Sequence, residues 1–375
     1  RISRETLKNT EDLKRLDILQ SEQNQPARTP PVIKSGKRVH LTGKHSNRTP
    51  LSYPCIQRQL LDKFEIVDNQ QNADIVMTGF DIDFRSEAGR LSEWAEDKSR
   101  QLVVVSEEPL WDTMWSQNFR QQRANLSPTP GAQSYSLFNH HNSDIFAFDK
   151  LPYFITTTDD FVLRYAGMFA RNASMSPEDL LHHWNHTRLQ AAFFAEKRID
   201  TKYDISMPDE NIYGLSSYRS RIAEAMAKEH AVLNVGKGWS EGTQIRQKLP
   251  DWHLDKLATL DQRSRIVSGL ENTHQRHYIS EKLFDAFAVL AIPLYYASPA
   301  HRVHEIVPEG GYINLFGLSE EQAVHAIQSF TPDLEFAKAY AETQKRLVKL
   351  THDTNLLIKE RDRLGSALHK ALQEL

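Results

Sequence analysis

The chain has 375 residues, 39% of them hydrophobic and 25% charged, which is enough for two domains with a sizeable core. A net charge of −3 argues against a nucleic-acid partner, since proteins that bind the phosphate backbone are usually basic, but it leaves room for a local basic pocket. The single cysteine, Cys55, excludes an intrachain disulfide, and no apolar run reaches the roughly 18 residues of a membrane span.

Residues 1–37 are polar, with a short helical pattern and then "QPARTPPVIKSGK", and read as an arm or linker. The chain begins at Arg1 rather than Met, so an upstream signal or anchor would not be visible in it. Four glycosylation sequons, at Asn47, Asn125, Asn172 and Asn185, are a weak sign of secretion in a chain this rich in Asn, Ser and Thr.

From residue 38 to 165 short apolar runs alternate with helical ones. "KRVHLTG" (37–43), "EIVD", "ADIVMTG" (73–79), "QLVVVSEEP" (101–109) and "SDIFAFD" (143–149) read as strands, and "PCIQRQLLDKF" as a helix. A second unit, 166–330, repeats the alternation. "SPEDLLHHWNHTRL" is a helix opened by Ser176 and Pro177, and "QAAFFAEKR", "AVLNVG", "RIVSGLEN" and "IPLYYAS" are strands. "YRSRIAEAMAKEH" and "SEKLFDAFAVL" are the helices between them. The expected fold class is therefore α/β, two Rossmann-like domains facing one cleft, with ligands beyond the carboxyl ends of the strands. Residues 331–375 form a charged helical tail. Its leucines (347, 350, 357, 364, 368) are spaced for packing on the body or for a homodimer.

The stretch "ENTHQRHYISEKLFDAFAVLAIPLYYASP" (271–299) carries the chemistry. Ser280 is a good N-cap, and Leu283, Phe284, Phe287 and Leu290 mark one buried helical face. Lys282 then falls in the first turn, where the helix end is already electropositive. That placement is costly unless an anion such as a diphosphate comes to it; otherwise Lys282 is a solvated lysine on a helix end.

This stretch resembles the signature of the α-1,3-fucosyltransferases, glycosyltransferase family 10: Glu-Asn, a Tyr, Ser/Thr-Glu-Lys, an apolar helix, then Pro-x-Tyr-Tyr-Gly-Ser-Pro, with Ala297 where the family usually has Gly. The resemblance implies the GT-B architecture, GDP-fucose as donor, inversion at the anomeric carbon and no metal or other cofactor. It further implies that Glu281 holds the ribose hydroxyls, Lys282 the phosphates, and Tyr278 and Asn272 the nucleotide region. "SSYRSRIAEAM" resembles the segment carrying an arginine, which maps to Arg219, or to Arg221 if the match slips by a turn. "VVVSEEPLW" resembles a Glu-Ser-Pro motif and aligns Glu107 with the catalytic base, Glu108 being the second choice. "FNHHNSDIFAFDKLPYF" resembles a further family segment. In such chemistry the departing nucleotide gains negative charge, which Arg219 and Lys282 would stabilise, while a carboxylate takes the acceptor's proton.

Other groupings have plainer readings. Asp81 and Asp83 have the spacing of metal-binding acids but fall in the acceptor-side domain. His182 and His186 lack a third ligand, "HRVHE" (301–305) likewise, and "GKGWSEG" (236–242) lacks the Gly-Lys-Ser/Thr ending of a nucleotide loop. Cys55 has no recognisable base and reads as filler. The partners expected are GDP-fucose and an oligosaccharide or glycoconjugate acceptor. Alternatives are another nucleotide sugar, or a non-catalytic glycan-binding scaffold of the same fold. The lone cysteine favours a bacterial cytoplasmic enzyme, with peripheral membrane association or, given an upstream anchor, the Golgi lumen as alternatives.

Overall fold

The computed structural model describes residues 36–108, 118–228, 230–239, 249–308 and 310–375. The N-terminal arm lies outside them except for its last residues.

The first lobe is built on a six-stranded sheet: β1 Lys37–Leu41, β2 Phe64–Ile66, β3 Ile75–Thr78, β4 Gln101–Val105, β5 Arg123–Asn125 and β6 Ser134–Phe138. The order is β2-β1-β3-β4-β6-β5, parallel except for β5 at the edge. Both faces are buried, which is why these strands read as continuous apolar runs. Ile75, Met77, Val103 and Val105 enter one core together with Cys55 and Ile56 of helix α1 (Pro54–Gln59). Val76, Leu102 and Val104 enter the other, with Phe84 of α2 (Asp81–Ser86) and with Leu91 and Trp94 of α3 (Ala88–Trp94).

The strand expected at 143–149 does not form; the fifth parallel strand is "SYSLF", β6. Turn chemistry wins just after it. Asn139 Oδ1 accepts from the His141 and Asn142 amides at 2.8 and 3.0 Å, and Asn142 Oδ1 accepts from the Asn139 amide at 2.9 Å. Ile145, Phe146 and Phe148 are buried, but as loop.

Helices α4 Tyr153–Thr156, α5 Asp159–Ala173 and α6 Pro177–His186 lead into the second lobe. Ser176 and Asp179 form a reciprocal capping box at the start of α6. The lobe then runs β7 Leu189–Phe194, β8 Ser206–Met207, β9 Ile212–Gly214, α7 Ser216–Ala227, β10 Val232–Val235, α8 Trp252–Leu260, β11 Ser264–Ser268 and β12 Thr273–His274. It continues through α9 Glu281–Ala288, β13 Ile292–Tyr295, β14 Ile313–Asn314 and α10 Glu320–Ser329. The main sheet, β10-β7-β11-β13-β14, is parallel throughout. The fold is thus the expected two-lobed α/β arrangement of GT-B type.

Sequence reasoning missed β14 and the small antiparallel sheet β12-β9-β8, because strands of two or three residues show no periodicity. That small sheet reaches across to the first lobe. Ile212 is buried in the first lobe's core, and Glu210 pairs with Arg120 at 2.7 Å and lies 3.4 Å from His141.

The tail is two helices, α11 Leu334–His352 and α12 Thr354–Gln373, broken at Asp353, whose side chain caps the second by accepting from the Asn355 amide at 3.0 Å. Helix α11 packs on α5 and α6, burying Tyr340 and Leu347 in the second lobe's core. Helix α12 returns to α1 and buries Leu364, Leu368 and Leu372 in the first lobe's core. The leucine stripe therefore packs on the protein's own body, the first of the two readings its spacing allowed. Asn172, one of the four sequons, is 1% exposed and donates to the Phe287 and Ala288 carbonyls at the end of α9. Among the described residues no helix is long and apolar enough to cross a membrane.

Candidate active site

Helix α9 starts where the sequence places it. The Ser280 side chain accepts from the Lys282 amide, and Glu271 caps the cap, its carboxylate accepting from the Ser280 amide and hydroxyl at 2.7 Å each. The helix ends on Leu290, a left-handed residue (φ 63°) in a place usually given to glycine; its fully buried side chain and the bond from the Trp184 indole to its carbonyl offset the strain. Ala297, which stands where the family usually has Gly, is not among the positive-φ residues, so its backbone does not call for glycine.

Lys282 is not a bare cation. Its ammonium donates to Ser280 Oγ at 2.9 Å and sits 3.3 Å from both Glu271 and Glu281. Burial works against its charge, but the Glu281 and Glu271 carboxylates outweigh it and raise the lysine pKa above its ordinary value. Burial also raises the pKa of Glu271, with Lys282 and Ser280 pulling the other way.

Arg219, on α7, faces the same spot. Its guanidinium donates to the carbonyls of Leu270 and Glu271 at 2.7 and 3.2 Å and to Asn272 Oδ1 at 3.1 Å, holding the loop that precedes α9. Burial, with Arg198 nearby, lowers its pKa to about 10, which leaves it protonated at neutral pH. Arg221 points elsewhere, bridging Asp204 and Glu320 at 2.7 Å each. Several buried polar atoms lack a hydrogen-bond partner here: Ser268 Oγ and the Tyr295 hydroxyl at the carboxyl ends of β11 and β13, Thr273 Oγ1 on β12 and Arg219 Nε. Unsatisfied buried groups in such number suit a site that takes up a polar ligand or ordered water.

In the first lobe, Glu107 follows β4 and has no exposed surface. Its Oε1 accepts from the Tyr53 hydroxyl at 2.6 Å and its Oε2 from the Tyr153 hydroxyl at 2.5 Å. Burial, helped by the neighbouring charge of Glu108, raises its pKa to about 7. Glu108 is tied to Arg48 at 2.6 Å and is more open. The lobes meet beside this group. His140, held neutral by burial, with a pKa of about 3, donates through Nε2 to the Glu107 carbonyl at 3.0 Å. Its ring lies edge-on to Tyr278, with centroids 5.1 Å apart, and Tyr278 also packs edge-on to Phe154. Tyr278 therefore links the loop before α9 to the surroundings of the first lobe's buried carboxylate.

The structure thus brings Arg219, Asn272, Glu281 and Lys282 together, with Tyr278 between them and Glu107. Sequence reasoning missed Glu271, Tyr53 and Tyr153. Glu271 stood in the quoted motif, but its capping role depends on Ser280, and the tyrosines come from helices remote in sequence. It also missed a fully buried network behind α9, where Asp285 accepts from Tyr165, His253 and Lys256 at 2.6, 2.7 and 2.6 Å. Burial would raise the Asp285 pKa, but Lys256 and His253 hold it well below the usual carboxylate range.

The other groupings are consumed structurally. Asp81 pairs with Arg85 at 2.9 Å. Asp83 accepts from the His45 amide and the Thr78 hydroxyl at 2.8 and 2.9 Å. His182 and His186 are exposed beside a hollow of about 940 Å³ at the amino-terminal edge of the second sheet, next to Leu189 and Arg263. His304 bonds the Ser298 carbonyl, and burial keeps His301 neutral. Gly236 and Gly238 make a turn after β10, residues 240–242 of that glycine-rich stretch lying outside the described residues. Cys55 donates to the Thr157 carbonyl, and burial raises its pKa. Among the described residues no group of three or more His, Cys, Asp or Glu could hold a metal ion.

Residues 211–353, which contain Arg219, Glu271 and all of α9, match the model of the glycosyltransferase family 10 (fucosyltransferase) C-terminal domain. The resemblance read from the motif therefore holds over this part of the chain. A crystal structure of an α1,3-fucosyltransferase is 14% identical, covering 86% of this chain and 83% of its own, with a TM-score of 0.40. The structure of an α1,3-fucosyltransferase with GDP-fucose is also 14% identical, covering 90% and 83%, with a TM-score of 0.37. A UDP-forming trehalose-phosphate synthase from Burkholderia xenovorans is 9% identical, covering 91% and 68%, with a TM-score of 0.32. These likenesses are too loose to place any residue. No curated protein matches the chain.

Proposed function

We propose that this chain is an inverting fucosyltransferase that moves fucose from GDP-fucose to a hydroxyl of an oligosaccharide acceptor, in an α-1,3-type linkage and without a metal. The observation that carries the proposal is the meeting of Arg219, Glu281 and Lys282 at the amino end of α9, inside the segment that matches the fucosyltransferase family model. A diphosphate placed there receives the helix dipole and two fixed cations. Lys282 and Glu281 now pair with each other. A bound nucleotide separates them, Lys282 turning to the phosphates and Glu281 to the ribose hydroxyls. The orphaned Arg219 Nε and Ser268 Oγ gain partners in the same event.

Glu107 is the proton acceptor. A carboxylate with a pKa of about 7 is matched to neutral pH: it is largely ionised just above that value and basic enough to take a proton in the transition state. The test is a calorimetric titration with GDP and with UDP, followed by transfer assays with GDP-fucose. Selective GDP binding and fucosyl transfer are expected; binding of UDP in preference to GDP would overturn the donor assignment.

A further inference from the structure

Glu107 cannot meet an acceptor hydroxyl as it stands. It is fully buried, and each of its carboxylate oxygens already accepts a tyrosine hydroxyl. The two tyrosines are not equivalent. Tyr153 is 3% exposed and lies edge-on between Phe146 and Phe154, with centroids 5.0 and 5.3 Å away. Tyr53 keeps some exposed surface at the start of α1. Its hydroxyl also feels both members of the Arg48–Glu108 ion pair, in which Arg48 is 45% exposed. Of the three groups, Tyr53 alone keeps more than a few per cent of its surface exposed.

We propose, on the reading of Glu107 as proton acceptor, that Tyr53 is a further catalytic residue: its hydroxyl receives the acceptor's proton while passing its own to Glu107 Oε1. The acceptor oxygen forms its bond to the anomeric carbon as the bond from that carbon to the GDP oxygen breaks. The electron pair of the broken bond leaves with GDP, the acceptor proton moves to Tyr53 Oη, and the former Tyr53 proton ends on Glu107. Tyr53 begins and ends neutral, so no buried phenolate forms. After product release the carboxyl proton returns to solvent by the same path.

The experiment compares the wild type, Tyr53→Phe, Tyr153→Phe and Glu107→Gln, using GDP-fucose with an N-acetyllactosamine glycan and, in parallel, with water as acceptor. GDP titrations report whether each variant keeps its donor site. The relay predicts that Tyr53→Phe lowers kcat by about 100-fold or more with unchanged GDP affinity, as loss of a general acid–base group does. Tyr153→Phe, which removes an equal hydrogen bond, should cost less than tenfold and shift the acidic limb of the pH profile. Equal losses in the two would overturn the relay, since the hydroxyls would then only tune Glu107, and so would near-normal turnover in Tyr53→Phe. If Tyr53→Phe fails to fold, a single-turnover proton inventory on the wild type decides: a curved dependence on deuterium content reports two protons in flight, and a straight line overturns the proposal. Full activity of Glu107→Gln sinks the proton-acceptor reading itself, whereas loss in Glu107→Gln with none in Tyr53→Phe sinks only the relay. A wild type idle with both acceptors removes the fucosyl reading and the relay together.

Discussion

Glu107 and Lys282 are both ionisable groups in nearly dry surroundings, and the protein treats them in opposite ways. Lys282 is given two carboxylates and keeps its charge, whereas Glu107 is given tyrosine hydroxyls and a like-charged neighbour, so burial wins. The folded Glu107 pKa of about 7 lies above the ordinary 4.5, so folding takes up a proton between these values. Its contribution to stability is therefore complete below pH 4.5 and is lost as pH rises through 7, a loss of about 3 kcal/mol at 1.36 kcal/mol per unit. Glu107→Gln is expected to abolish transfer and to raise Tm relative to wild type more at about pH 8.5 than at about pH 5.5; an equal gain at both would refute the burial argument. Lys282→Ala should lower kcat well over tenfold, from about 2–4 kcal/mol of lost leaving-group stabilisation, read by steady-state kinetics. Arg221→Ala removes only surface ion pairs, at about 0–1 kcal/mol, and should leave GDP affinity unchanged. Arg219→Ala should weaken GDP binding more than tenfold, and comparable calorimetric effects of the two changes would mean that the arginine is misassigned.

At the scale of elements, what the sequence revealed depended on how local each signal was. The strands β3 and β4, buried on both faces, and α9, with Ser280 before a three- and four-residue apolar repeat, were legible because each carries its pattern within a few residues. The segment 143–149 misled because it is apolar yet held as loop by the Asn139 and Asn142 side chains. The shell around Glu107 was illegible for another reason: Tyr53 and Tyr153 lie 54 and 46 residues from it. Likewise, leucine spacing in the tail cannot say whose surface the leucines meet. A sharper sign was Gly365 on α12, where an added Cβ would stand 2.0 Å from Leu60 Cδ2 on the first lobe. Gly365→Ala should therefore lower stability by about 1–3 kcal/mol by overpacking, less if the Leu60 tip yields, and thermal unfolding measures it.

For the whole molecule, the two lobes are joined by more than the chain between them. The small antiparallel sheet crosses from the second lobe, Tyr278 packs on His140, and Arg302 stacks on the Phe148 ring at 4.1 Å. The proposed reaction draws its cations from one lobe and its base from the other, so these contacts set its geometry. A chelator should leave transfer intact, since fixed side chains supply the positive charge; complete loss with restoration by manganese would reopen the question of Asp81 and Asp83.

The break at Asp353 carries the chain from one lobe back to the other, so Leu364, Leu368 and Leu372, made after the second lobe, complete the core of the first lobe, which is made before it. On the ribosome the opening sheet must wait, one face uncovered, until the entire second lobe has been synthesised. Its early life should depend on holdase chaperones, and nascent chains arrested before residue 354 should remain protease-sensitive in their first half.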